Sequence, residues 1–225
     1  MRMPSDKQAS MPVFEIDPAF GEMAVTMGQA TWSIPELTQR EKAFACLAAD
    51  VCVRDLDLPF RMHIEMALSN DVPLADVREA ILQSSLEAGH TGALLALKRF
   101  KEVCIEIGER YPPEDRTADS DRGFEYFSEP TKIGIDAKLS RMWRAIMSAH
   151  WTRPGLSLRE RAFISLACNV MQGMLEAPFK HHVHLARAAG ASDEQIGSLF
   201  RFLSEYGFSR SWAALDALAR HGVTE

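Results

Sequence analysis

The sequence predicts an all-α protein made of two tandem helical units packed as a pseudo-dimer, and three observations support this prediction. The chain of 225 residues matches itself at an offset of 119, as Trp32 and Trp151 illustrate. Each unit contains a helix that opens with a capping box, followed by apolar residues spaced three and four apart. No segment alternates between apolar and polar residues as a strand does.

The repeat sets the domain boundaries. A tryptophan-proline-leucine motif at residues 32–37 returns at 151–156, and a proline-phenylalanine-histidine motif at 59–63 returns at 178–182. After a single-residue gap the offset becomes 118. A missed repeat would misassign the whole fold, so these matches come before any other pattern.

Two units follow from these matches, residues 12–108 and 131–222, joined by a linker at 109–130. The linker is rich in charge, proline and small polar residues and has no sustained apolar period. We therefore expect short loops and antiparallel neighbours within each unit.

Five helices are predicted in each unit, in matching order. Residues 19–30 and 138–150 form the first pair of helices. The second pair opens at the capping boxes of Thr38 and Ser157. The third pair starts at prolines 59 and 178, where proline suits a first turn, and ends near residues 71 and 190. The fourth pair follows residues 73 and 192 and stops before glycines 89 and 207, and the fifth covers about 91–107 and 209–219.

Composition excludes several classes of function. The net charge is -6 and the pI is about 5.7, without a basic cluster that could replace counterions on phosphate, so we expect no nucleic-acid partner. The N-terminus lacks the apolar core of a signal peptide, and no stretch approaches 18 unbroken apolar residues. These features predict a cytoplasmic protein that contacts no membrane.

The four cysteines lie at scattered, mostly apolar helical positions. They are Cys46, Cys52, Cys104 and Cys168. No two of them form a Cys-x-x-Cys pair, which would indicate a redox or zinc site. Buried, reduced thiols are the prediction.

Two histidines and two glutamates are the candidate catalytic residues. His63 and His182 occupy the same place in both units, and histidine is the commonest acid–base residue. A repeat keeps core residues as readily as catalytic ones, so a structural histidine is an open alternative. Glu87 and Glu205 come late in apolar helices, where burial would raise the pKa of a carboxyl and make it a proton partner for histidine.

Four aromatic residues are candidates for binding a small-molecule substrate. They are Phe60, Trp151, Phe179 and Tyr206. Large aromatic side chains belong to the core by default, yet some of them are expected to wall an apolar pocket.

A metal site is a weaker alternative. His181 and His184 are three residues apart on one helix face, the spacing of a helical metal pair, with His90 or His150 as conceivable further ligands. A metal needs three or four convergent ligands and the sequence shows two, so the main prediction contains no metal and no other cofactor.

The order of these motifs resembles the gamma-carboxymuconolactone decarboxylase family. In the second unit the resemblance rests on WTRPGL at 151–156, Arg161, His182, GASDEQI at 190–196 and Gly207. In the first unit it rests on Leu37, Lys42, His63, VPLADV at 72–77 and Gly89. It covers most of both units.

The resemblance implies the helical fold shared with alkylhydroperoxidase D, in subunits that form trimers or hexamers. A two-unit chain would then correspond to a fused dimer, and we expect a homo-oligomer, a dimer or trimer of that chain. The family's histidine implies a cofactor-free decarboxylation of a lactone acid. The Cys-x-x-Cys positions of the peroxidase branch hold Leu56 and Pro59, or Leu175 and Pro178, so dithiol peroxidase activity is not expected.

The sequence therefore predicts a lyase that uses acid–base chemistry without a cofactor on a small carbonyl, lactone or carboxylate compound. Decarboxylation, isomerisation and ring opening or closing all fit this description. One alternative is a metal-dependent oxygenase or hydrolase that uses His181 and His184. Another is a non-catalytic binding or assembly protein.

Overall fold

A computed structural model describes residues 12–113, here the first segment, and residues 136–222, here the second segment. The predicted linker beyond residue 113, the start of the second predicted unit at 131–135, and the N-terminus up to residue 11 lie outside the described residues.

The described residues confirm an all-α fold, with eleven α-helices, one 3₁₀ helix and no strand within these two segments. In the first segment the helices are α1 (Pro12–Ile16), α2 (Pro18–Trp32), α3 (Gln39–Val53), α4 (Leu58–Ser69), α5 (Leu74–Ala88) and α6 (His90–Glu106). In the second they are α7 (Ala137–Trp151), α8 (Leu158–Gln172), α9 (Ala177–Ala188), α10 (Asp193–Phe202), the 3₁₀ helix Leu203–Tyr206 and α11 (Phe208–Gly222). Among the described α-helices, only the short α1 was not expected from the sequence.

Helices α3 and α8 form the centre of the molecule. They pack against each other, and both contact α5. Each begins with the predicted capping box: Glu41 N–H donates to Thr38 Oγ1 (3.1 Å), and Glu160 N–H donates to Ser157 Oγ (3.2 Å). Almost every later residue of both helices is buried. A helix that is buried all round must satisfy every polar side chain it carries.

Two arginines join the segments reciprocally. Arg40 Nε donates to Glu160 Oε1 (2.5 Å), and Arg159 Nε donates to Glu41 Oε1 (2.6 Å). Each glutamate thus caps its own helix and also binds the arginine of the other segment. Such fixed, half-buried pairs set how α3 and α8 lie against each other.

A buried cation holds the end of the helix that precedes each central helix. Lys42 Nζ donates to the carbonyl of Trp32 (2.6 Å), and Arg161 donates to the carbonyl of Arg153 (2.5 Å). Burial lowers the pKa of both cations, that of Arg161 to about 10. These bonds fix the loops that follow Trp32 and Trp151.

The 3₁₀ helix departs from the continuous helix expected before Gly207. Helix α5 has 15 residues, whereas α10 has 10 and the 3₁₀ helix 4. At roughly 1.5 Å per α-helical and 2.0 Å per 3₁₀ residue, both stretches span about 23 Å. The tighter turn therefore covers the same length with one residue fewer, which agrees with the single-residue gap in the sequence match.

The predictions on cysteine burial are confirmed for three of the four cysteines. Cys46, Cys104 and Cys168 are buried free thiols as predicted, while Cys52 is only partly buried. None of the helices in residues 12–113 and 136–222 has the length and apolar character needed to cross a membrane.

Substitution of Phe60 tests the assignment of the hydrophobic core, because none of the surface of this residue is exposed. Phe60→Ala is expected to lower the free energy of unfolding by about 3–5 kcal/mol through lost burial and the cavity it leaves. Urea unfolding measures this change. The matched control, Phe208→Ala, removes a phenylalanine that is 68% exposed and should change stability by less than about 0.5 kcal/mol. Equal effects of the two substitutions would contradict the core assignment.

Candidate active site

His182 lies on α9 and points into the interface between α9 and α8. Its Nδ1–H donates to Asn169 Oδ1 (2.7 Å), and only 3% of the residue is exposed. The amide of Asn169 also donates from Nδ2 to Glu87 Oε2 (3.3 Å). One asparagine therefore orients both the imidazole and the carboxyl, and it leaves the second ring nitrogen of His182 as the basic one.

That second nitrogen, Nε2, faces Glu87. Nε2 is buried and makes no hydrogen bond, although Glu87 Oε1 lies 3.3 Å away. Gln172 donates to the backbone carbonyl of Glu87 (3.0 Å) and so holds the end of α5 in place. We call His182, Asn169, Glu87 and Trp151 the His182 cluster.

Burial disfavours the charged form of both partners in this cluster. It raises the pKa of Glu87 to about 7, against the hydrogen bond from Asn169, which lowers it. Burial, together with the neighbouring His181, lowers the pKa of His182 to about 3. Below about pH 7 Glu87 is therefore mostly protonated while the imidazole of His182 is neutral, and Glu87 loses its proton as the pH rises through about 7.

Trp151 connects this pair to the surface. Its ring is stacked on that of His182, with centroids 6.2 Å apart and planes within 6°. Trp151 also borders an open, mostly apolar cleft of about 370 Å³, together with Arg153, Leu156, Ser157, Leu158, Arg159 and Ala189. A small organic molecule fits such a volume.

A second cluster surrounds His63 on α4. His63 Nδ1–H donates to Asp50 Oδ2 (2.7 Å), and the Tyr206 hydroxyl donates to Asp50 Oδ1 (2.9 Å) and to the carbonyl of Cys46 (3.2 Å). Asp50 is fully buried, whereas 14% of the His63 side chain is exposed. We call His63, Asp50, Tyr206 and Cys46 the His63 cluster.

The charge balance of the His63 cluster is the reverse of that around His182. Burial opposes protonation of His63, but the Cys46 sulfur and the Asp50 carboxylate outweigh it and raise the pKa of His63 well above its usual range. Burial raises the pKa of Asp50, against the hydrogen bonds from His63 and Tyr206. The hydrogen bond to Asp50 thus favours a protonated His63, which the neutral amide of Asn169 does not do for His182.

Both clusters are built across the two segments. Glu87 of the first segment meets His182 of the second, and Tyr206 of the second meets His63 of the first. Glu205 also reaches the first segment, where its carboxyl accepts a hydrogen bond from Thr31. Burial raises the pKa of Glu205, and the hydrogen bond from Thr31 and the charge of His63 oppose this rise.

The four predicted substrate-binding residues separate into two groups. Trp151 and Tyr206 belong to the two clusters. Phe60 and Phe179 are completely buried in the core, where Phe179 packs against Phe200 at a centroid distance of 5.3 Å. A substrate-binding role for these two phenylalanines stays a prediction.

The histidines of the metal alternative point to different surroundings. His181 packs edge-on against Trp143 (5.0 Å), and burial lowers the pKa of His181 to about 4, while His184 is exposed. Within residues 12–113 and 136–222, no group of three or more histidine, cysteine, aspartate or glutamate side chains could hold a metal ion. The described residues thus supply no third ligand for this pair.

Sequence reasoning missed Asp50 and Asn169, the residues that orient the two histidines. Each lies 13 positions before its histidine, near the C-terminal end of a central helix and after a mostly apolar run. A polar residue inside such a run is buried by necessity and needs a partner. That signal could have found both residues.

Comparisons with known proteins agree with the fold. Residues 137–220 match the model of the carboxymuconolactone decarboxylase family. A crystal structure from Burkholderia xenovorans LB400, named as a candidate gamma-carboxymuconolactone decarboxylase subunit, is similar with a TM-score of 0.55 and 24% identity. The similarity covers 98% of this chain and 90% of that one, and at this identity it shows the fold alone. A search of curated proteins gave no match.

The raised pKa of Glu87 predicts a pH-dependent contribution to stability. Between the ordinary carboxyl pKa of 4.5 and the folded value of about 7, the folded protein keeps a proton that the unfolded chain releases. Stability from this group therefore falls as pH rises through that window. Glu87→Gln removes the fall, so the variant should gain roughly 2–3 kcal/mol relative to the parent between pH 4 and pH 8, measured by urea unfolding.

Glu22→Gln is the matched control, because Glu22 is exposed on α2. Its difference from the parent should not change with pH. Parallel pH profiles for Glu87→Gln and the parent would show that folding does not shift the pKa of Glu87, and they would refute the assignment.

Proposed function

Since residues 137–220 match the model of the carboxymuconolactone decarboxylase family, we propose that the chain is a cofactor-independent acid–base lyase. Its substrate would be a small carbonyl, lactone or carboxylate compound. The observation that carries the proposal is the buried Nε2 of His182, which has no hydrogen bond and lies 3.3 Å from Glu87. A proton acceptor and a proton donor thus lie side by side in a buried position next to Trp151.

The protonation states assign the roles. His182 is neutral and its Nε2 lone pair can accept a proton, so we assign it as the general base, and a bound carboxylate substrate would raise the low pKa of the buried ring and strengthen it in that role. Glu87, with a pKa of about 7, is the general acid in its protonated form. Asn169 keeps both groups oriented without adding charge. A base and an acid that coexist near neutral pH are what proton transfer on a carbonyl compound requires.

This pair supports two related reactions. In an isomerisation of a β,γ-unsaturated carbonyl compound, His182 takes a proton from the carbon next to the carbonyl, and Glu87 delivers its own proton to the far carbon of the resulting dienolate. The proton on His182 Nε2 then returns to Glu87, 3.3 Å away. In a decarboxylation, the bond to the carboxylate breaks, carbon dioxide leaves, and the electron pair stays on the substrate as an enolate that Glu87 protonates. Neither sequence of steps needs an oxidant or a reductant.

The cleft beside Trp151 is the proposed route for the substrate. Its volume of about 370 Å³ suits a small planar acid or lactone. Trp151 borders the cleft and its ring is also stacked with that of His182, so Trp151 would lie between a molecule in the cleft and the base.

We also propose that the chain is a tandem repeat whose units pack as a pseudo-dimer. The reciprocal bonds of Arg40 with Glu160 and of Arg159 with Glu41 support this arrangement. So does the repeated placement of a histidine next to a residue 13 positions earlier. Further association into a dimer or trimer stays a prediction from the sequence.

The test is turnover of a panel of small lactone acids and oxo acids, followed by NMR in D₂O and by release of carbon dioxide. With EDTA present, the parent protein should convert at least one compound or exchange its acidic proton for deuterium. His182→Gln and Glu87→Gln should each lower that rate by about 100-fold or more, because each removes one proton-transfer group.

His184→Gln is the control on the same helix, because His184 is exposed. It should retain the parent rate. Loss of activity in EDTA together with loss in His184→Gln would favour the metal alternative. Full activity of folded His182→Gln would refute the proposed mechanism.

A further inference from the structure

The two histidine clusters differ at the residue that receives the Nδ1 proton. In the His63 cluster this residue is Asp50, and in the His182 cluster it is Asn169. Each precedes its histidine by 13 positions and lies on a central helix, α3 or α8. The two clusters thus have the same backbone layout with an acid in one and an amide in the other.

We propose that Asn169 is a positioning residue that holds His182 as a neutral Nδ1–H tautomer with a basic Nε2, and that Asp50 commits His63 to a paired imidazolium. The two sites would then not be interchangeable, and only the His182 site could supply a base. This inference rests on the function proposed above, whose base it concerns.

The hydrogen bonds of Asn169 support the assignment of His182 as a neutral Nδ1–H tautomer. Its Oδ1 accepts from His182 and its Nδ2 donates to Glu87, so the amide cannot turn over without losing both bonds. A neutral amide oxygen offers an imidazolium no compensating charge. An aspartate there would lose the bond to Glu87 and place two carboxyl groups side by side.

Among the described residues, none of the groups that face His182 supplies a fixed negative charge that would stabilise a protonated ring. Glu87 comes from α5, Asn169 from α8 and Trp151 from α7, and His181 is the neighbour on its own helix. Of these, only Glu87 could offer a negative charge, and its own burial opposes that.

The assignment of His63 as an imidazolium rests on Asp50, whose two carboxylate oxygens both accept hydrogen bonds. One carboxylate oxygen accepts from His63 and the other from Tyr206, in a side chain with no exposed surface. The groups facing His63 are Asp50 and Cys46 on α3 and Tyr206 and Glu205 on the 3₁₀ helix. Glu205 is engaged by Thr31, which leaves Asp50 as the counter-charge that holds the imidazolium.

Nitrogen-15 NMR of the histidine rings tests this without any substrate. In the full-length parent protein, His182 should stay neutral with its proton on Nδ1 from pH 5 to pH 8, while His63 is doubly protonated at pH 7. Asn169→Asp should raise the pKa of His182 by more than about 1, and Asp50→Asn should lower that of His63 by more than about 1. His182→Gln and His63→Gln assign the signals.

Asn169→Ala is the second variant, for the case that Asn169→Asp does not fold. It removes the acceptor, so His182 should then populate both neutral tautomers. The inference is overturned if His182 keeps its Nδ1–H tautomer in Asn169→Ala, or if neither reciprocal exchange moves the pKa of its histidine. If the NMR results are as expected but the His182→Gln variant is fully active, the proposed function is refuted while the assignment of charges to the two histidines stands.

Discussion

The contact between α3 and α8 is the constraint on which the rest of the molecule depends. Both helices are buried nearly all round, so each polar side chain on them must find a partner inside the protein. Asp50 and Asn169 find theirs in the histidines of the next helices, α4 and α9. The reciprocal arginine pairs at the helix starts fix this contact and hence bring residues of one segment against the histidine of the other.

Burial then decides what the two histidines can do. Around His182 the environment supplies no fixed charge, so the neutral ring and the protonated Glu87 are favoured together. Around His63 the buried Asp50 supplies the missing charge and the ring is protonated. The same scaffold thus provides two chemically distinct sites, which differ because one histidine is bonded to the acid Asp50 and the other to the amide Asn169.

The sequence predicts the helices well because their signals are local. Capping boxes at Thr38 and Ser157 and apolar spacing of three and four residues depend only on near neighbours. The crossing of Glu87 to His182 could not be predicted, because it arises from the packing of helices distant in sequence. Asp50 is a different case. An aspartate after a run of apolar residues indicates a buried carboxylate, but only the tertiary structure identifies His63 as its partner.

The central claim is that the buried carboxyl of Glu87, beside a neutral His182, keeps its proton up to about pH 7. The infrared difference spectrum between the parent and Glu87→Gln measures this directly, because a protonated carboxyl and a carboxylate absorb in separate regions. We predict a protonated carboxyl band from Glu87 at pH 5 that gives way to a carboxylate band as pH rises through about 7. A carboxylate band at every pH between 5 and 9 would contradict the account.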